Sequence, residues 1–139
     1  MVLVALTLAG CSSTLQDQES YGPPPSNYRQ MARDYLKRTL LDPYSVRDAE
    51  IAAPVVKHSF HLIDPLPGWT ICVRYNAKNR MGGYVGLTEN VLLVRNNRIT
   101  VSQNEIAQQT LPAGTSICRD ANFEPFPELM ADSSSPARK

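Results

Sequence analysis

The sequence predicts an α+β domain: one N-terminal helix packed on a small antiparallel β-sheet, closed by one disulfide. Three observations carry this expectation. Tyr28, Met31, Ala32, Tyr35, Leu36 and Leu40 recur at helical spacing, whereas from Ser45 onward the chain breaks into short β-prone runs divided by turn formers. Two cysteines, Cys72 and Cys118, lie within this β-prone half or just after it. The length of 139 residues allows one core, because a second would need roughly another hundred residues.

The helix is expected to start at Ser26, whose hydroxyl suits an N-cap, and to end near Leu41, because Pro43 disfavours helical geometry at Asp42. Arg29, Arg33, Lys37 and Arg38 fill its polar face, which a solvated helix surface explains more readily than contact with phospholipid headgroups or an acidic partner. Expected strands run over Ser45 to Ala53, Val55 to Ile63, Trp69 to Tyr75, Tyr84 to Arg95 and Arg98 to Val101. Their breaks contain Asp64, Pro65, Pro67 and Gly68, then Asn76 to Gly83, then Asn96-Asn97, a pair that tolerates the positive φ of a tight hairpin. Alternation puts Trp69, Ile71, Val73 and Tyr75 on one face of the third strand, and Thr70, Cys72 and Arg74 on the other. A short helical turn is expected over Asn104 to Gln109, and irregular chain after Cys118. The expected organisation is a signal segment over 1–10, a tether over 11–25, the domain over 26–130 and a disordered tail over 131–139.

Function classes narrow from charge and motif. Fourteen Lys and Arg against thirteen Asp and Glu leave a net charge of +1, which argues against a nucleic-acid binder acting through phosphate neutralisation. His58 and His61, three apart in a strand, point to opposite faces and cannot share a metal there, even with Asp64 nearby. Ser45, Ser59, Ser102 and Ser116 lack the surroundings of an activated nucleophile, and no Gly-rich phosphate loop opens a helix. The expectation is a protein that is not an enzyme, with no catalytic residues, metal or cofactor.

The first ten residues, MVLVALTLAG, form an apolar run that meets Cys11-Ser12-Ser13. This is too short for a transmembrane helix, which needs about twenty apolar residues. Leu8-Ala9-Gly10-Cys11 resembles the lipobox of bacterial lipoproteins, although the cationic opening of such signals is absent. The resemblance implies cleavage before Cys11 and acylation of its thiol, and Ser12 resembles the sorting position of lipoproteins sent to the outer membrane. Residues 12–26, poor in aliphatics and ending in Pro23-Pro24-Pro25-Ser26, then read as a tether between lipid and domain. With Cys11 lipidated, Cys72 and Cys118 are most economically read as a disulfide in an exported domain, two buried free thiols and a redox-active pair being the competing readings.

The richest internal signal is Leu41-Asp42-Pro43-Tyr44-Ser45 together with the run from Cys72 to Gly86, which contains Asn76-Ala77-Lys78-Asn79-Arg80-Met81-Gly82-Gly83-Tyr84. The two segments resemble a pattern in small exported proteobacterial proteins of unassigned function, departing from it at Val73 and at Arg80-Met81. No activity comes with that resemblance. The loop can be an over-specified hairpin connection, or a recognition loop formed by Tyr75, Asn76, Lys78, Asn79, Arg80 and Tyr84. The expected function is that of a non-enzymatic outer-membrane lipoprotein with a periplasmic structural or protein-interaction domain, such as an accessory subunit of an envelope assembly or secretion complex. Its expected partners are the membrane, through lipid on Cys11, and an envelope protein. The competing expectation is a module that binds a small anionic or glycan ligand through the Asn76 to Gly86 loop.

Overall fold

A computed structural model describes residues 20–59, 66–104 and 117–130, with the side chains of 57–59, 66 and 101–104 left aside. Cys11, the expected signal segment and tail, and His61 and Asp64 lie outside the described residues.

Helix α1 spans Tyr28–Thr39 and is followed by a 3-10 turn, Pro43–Ser45. Strands β1 (Arg47–Ala52), β2 (Val55–Ser59), β3 (Leu66–Asn76), β4 (Thr88–Arg95), β5 (Arg98–Asn104) and β6 (Phe123–Pro125) form one sheet, and α2 (Pro127–Met130) closes the described chain. All pairings are antiparallel, in the order β5-β4-β3-β1-β6, with β2 also on β3. The six-stranded sheet makes the domain more β-rich than the expected small sheet, and the helix begins at Tyr28 rather than at the chain's N-terminus.

Because β4 occupies one edge of β3, β1 and β2 share the other edge end to end. Between Ile51 and Val55 the chain advances four positions while β3 advances three, from Val73 to Thr70. Pro54, which has no N–H to give a ladder, falls in this irregularity. Two expected boundaries differ. The break anticipated at Pro67 and Gly68 lies inside β3, because Pro67 pairs with the outer strand β2 and Gly68 lets the chains approach closely. A Cβ at Gly68 would stand 2.7 Å from Leu93 Cδ1 and 3.1 Å from the Val94 carbonyl oxygen. At the other end, β4 starts at Thr88, so the β-prone residues Tyr84 to Leu87 are loop. Asn104 ends β5, and the remainder of the helical turn expected over Asn104 to Gln109 lies outside the described residues.

The helical periodicity holds, with its cap shifted. Asn27 occupies the N-cap without a side-chain bond, and the helix stops at Thr39, with the extended Leu40 donating its N–H to the Leu36 carbonyl at 2.9 Å. Ala32 and Leu36 are buried against Ile71, Val73 and Tyr75 of β3, Leu92 and Val94 of β4, and Ala49 and Ile51 of β1. The C-terminal segment, expected to be irregular, completes this core with Phe126 and Leu129 and adds β6 to the sheet edge. Arg29 ties it to the helix: its guanidinium donates to both Glu128 carboxylate oxygens at 2.7 and 2.9 Å and to the Pro125 carbonyl at 2.7 Å. That fork holds the Glu128 carboxyl below its ordinary range, so the link persists at neutral pH and is lost as falling pH protonates the acid.

The opposite face of β3 packs a second, smaller core of Ala52, Cys72, Val91 and Cys118, joined by Ile117, Ala121 and Phe123. Here Cys72 and Cys118 form a disulfide with Cα atoms 5.8 Å apart. The predicted alternation of β3 is therefore present, with both faces covered.

Candidate recognition platform

The two motif halves meet at Ser45, which is bonded to Lys78, 33 residues further along the chain. The 3-10 turn after α1 carries this residue to the end of the sheet where β3 passes into the 77–87 loop. Its Oγ donates to the Asp42 carbonyl at 2.8 Å and accepts the Lys78 N–H at 2.9 Å. Its own carbonyl accepts the Tyr84 hydroxyl at 2.9 Å. One serine thus fastens the turn to both sides of the loop.

The loop is braced within itself as well. Asn79 Oδ1 accepts the N–H groups of Met81 and Gly83 at 2.9 and 3.1 Å, and the Asn79 N–H donates to the Gly83 carbonyl at 2.9 Å. Lys78 and Tyr84 pair as an isolated antiparallel bridge. Asn76 Oδ1 accepts the Gly86 N–H at 3.2 Å, closing the loop at its base. Gly82 and Gly86 adopt φ of 79° and 98°, values that side-chain-bearing residues rarely take.

A β-bulge in β1, where Asp48 has φ of 54°, lies beside Arg47. The Arg47 guanidinium stacks 3.6 Å from the Tyr84 ring centroid, with Lys78 Nζ at 5.8 Å from the same ring. The loop and the turn bonded to it also expose large apolar side chains. Met81 is 92% exposed, Val85 68%, and Leu41 and Tyr44 65% each. A neighbouring open groove of about 470 Å³ is lined by Arg33, Asp34, Lys37, Arg38, Pro43 and Tyr44. Within it Arg33 pairs with Asp34 at 2.7 Å, and Lys37 lies 5.7 Å from the Tyr44 ring centroid.

Of the residues expected in a recognition loop, Lys78, Asn79, Arg80 and Tyr84 reach the surface. Asn76 and Asn79 spend their side-chain oxygens on loop closure. Tyr75 belongs to the core: it is buried, its hydroxyl accepts Asn90 Nδ2 at 3.3 Å, and burial pushes its pKa up. The expected site residues did not include Ser45 and Arg47, which the structure brings against the loop. The joint occurrence of the two segments was the available signal.

Replacing Ser45 with Ala is expected to cost about 1 kcal/mol, the net worth of a typical hydrogen bond, without changing the sheet. Amide exchange at Lys78 should quicken in this variant while β3 and β4 amides stay protected, as read by NMR. Unchanged exchange at Lys78 would deny Ser45 its bracing role.

Among the described residues no three His, Cys, Asp or Glu side chains cluster to hold a metal ion, and no helix is long and apolar enough to cross a membrane. In comparisons with known proteins, no family, curated protein or solved structure matches this chain.

Proposed function

We propose that this chain is a non-enzymatic outer-membrane lipoprotein, anchored through Cys11, whose domain presents the Ser45 and Tyr84 platform to an envelope protein as an accessory subunit of a larger assembly. The observation that carries this reading is Met81, left almost wholly in water at the tip of a loop braced by Asn76, Asn79 and Ser45. A loop that served only to connect β3 to β4 would need neither the bracing nor the apolar tip. Exposed apolar side chains grouped with polar ones mark contact surfaces, and rigid presentation lowers the ordering cost of binding.

Charge states the partner's chemistry. Between Asn76 and Leu87 the loop carries Lys78 and Arg80 and no acidic residue. The surface that fits it is a protein face that combines carboxylates with apolar side chains. Lipid on Cys11 would hold the domain at the membrane, since each buried methylene contributes about 0.8 kcal/mol and several acyl chains anchor firmly.

The anchor is tested by fractionating native envelopes that contain the wild type or Cys11→Ser. The wild type is expected with the outer membrane and the variant in the soluble fraction. A variant that stays with the membrane would overturn the reading.

A further inference from the structure

The residues expected to form the end of a flexible tether are instead packed against the domain, at the end of the sheet opposite the platform. Tyr21 is only 6% exposed and meets the Trp69 ring edge-on, with centroids 6.0 Å apart. Its carbonyl accepts the Asn96 N–H at 2.7 Å, and the Gly22 carbonyl accepts Trp69 Nε1–H at 2.9 Å. The Ser20 carbonyl accepts the Arg95 guanidinium at 3.1 Å. Gly22 fits because its φ is 78° and a Cβ there would stand 3.0 Å from Asn96 Oδ1. Asn96 and Asn97 form the β4-β5 turn, while the platform lies at the other end of β3 and β4.

We infer that this docked segment presents the platform on the side of the domain away from the bilayer that holds Cys11, so that its occupant is the acidic protein surface and not lipid headgroups. The inference rests on the lipid-anchor reading of Cys11. Strand β4 alone, eight residues long, separates the docking point from the platform by about 26 Å at about 3.3 Å per residue. From Cys11 to Ser20 there are nine chain steps, which reach about 30 Å at most at about 3.3 Å per step. Turning the platform onto the same bilayer would require holding those nine steps close to full extension. Met81, Val85, Lys78 and Arg80 carry the apolar and cationic character of a membrane-seeking loop, and the position of the tether is what directs them elsewhere.

The test uses the lipidated full chain in vesicles of phosphatidylethanolamine and phosphatidylglycerol that carry a short-range headgroup acceptor dye. A donor dye is placed at Arg98→Cys, beside the β4-β5 turn, or at Met81→Cys. Energy transfer is expected to be strong from position 98 and severalfold weaker from position 81. Equal or stronger transfer from position 81 would overturn the inference while leaving the anchor intact. Failure of both labelled chains to associate with vesicles would overturn the anchor reading and the inference with it. In a second arm, the unlipidated Cys11→Ser chain is expected not to sediment with phosphatidylglycerol vesicles. Sedimentation that is lost in Lys78→Ser/Arg80→Ser would assign the platform to headgroups instead.

Discussion

Replacing Cys72 and Cys118 together with alanine is expected to lower the domain's stability by about 4 kcal/mol, the chain-entropy value for a closed loop of 46 residues. The size of the effect follows from what the bond joins. Cys72 sits in the middle of β3, facing away from α1, and Cys118 opens the segment that leads through β6 to Phe126 and Leu129. With the bond gone, the unfolded chain regains its freedom and the smaller core of Ala52, Val91 and Phe123 loses its staple. Domains of this size have about 5–15 kcal/mol to lose, so the variant should be marginal at physiological temperature. Urea unfolding of the wild type with and without reductant, beside the double variant, measures it. A difference below about 1 kcal/mol would show that the second core holds without the bond.

Phe126→Ala should be comparably damaging, at about 3–5 kcal/mol for a fully buried aromatic ring. Phe126 has no exposed surface, its N–H donates to the Ala49 carbonyl at 2.8 Å, and the Arg29 guanidinium lies 5.3 Å from its ring centroid. It is the side chain through which the C-terminal segment enters the core shared by α1 and β1. Thermal unfolding of the variant should show a large drop in midpoint. A drop no larger than that of an exposed control such as Leu87→Ala would mean that this segment does not form part of the cooperative core.

The sequence showed the parts of this fold that rest on local chemistry. Met31, Ala32, Tyr35 and Leu36 mark a helix because their spacing alone places them on one side, and Asn96-Asn97 mark a hairpin because two consecutive positive φ values need such residues. The alternation of Trp69 to Tyr75 likewise separated the two faces of β3, and the structure shows that the face of Ile71, Val73 and Tyr75 meets the helix. What stayed hidden depends on distant pairing. Phe126 and Leu129 sit among prolines that erase any period, and only the registry of Glu50 with Pro125 across the sheet edge reveals their place. Tyr84 to Leu87 have strand-like composition, but Tyr84, Val85 and Leu87 are exposed, and the strand begins only at Thr88.

The candidate site divides in the same way. Its loop was visible as a cluster of amides, cations and glycines, yet the same composition suited Tyr75 for the surface, where burial against the sheet rules it out. The bond from Lys78 to Ser45 spans 33 residues, and no local pattern announces it. Ser45, two residues past Pro43, carries no local sign of this role, which appears only with the register of β1 on β3.

The loop braced by Ser45 is proposed to be a recognition surface and not merely a connection between strands. The most direct measurement compares chemical crosslinking in native envelopes for the wild type and Lys78→Ser/Arg80→Ser, with circular dichroism to confirm that both fold. Both cations are exposed and outside the core, so the variant should keep its fold and lose the crosslinked protein partner of the wild type. A variant that folds and retains that partner at the wild-type level would contradict the claim.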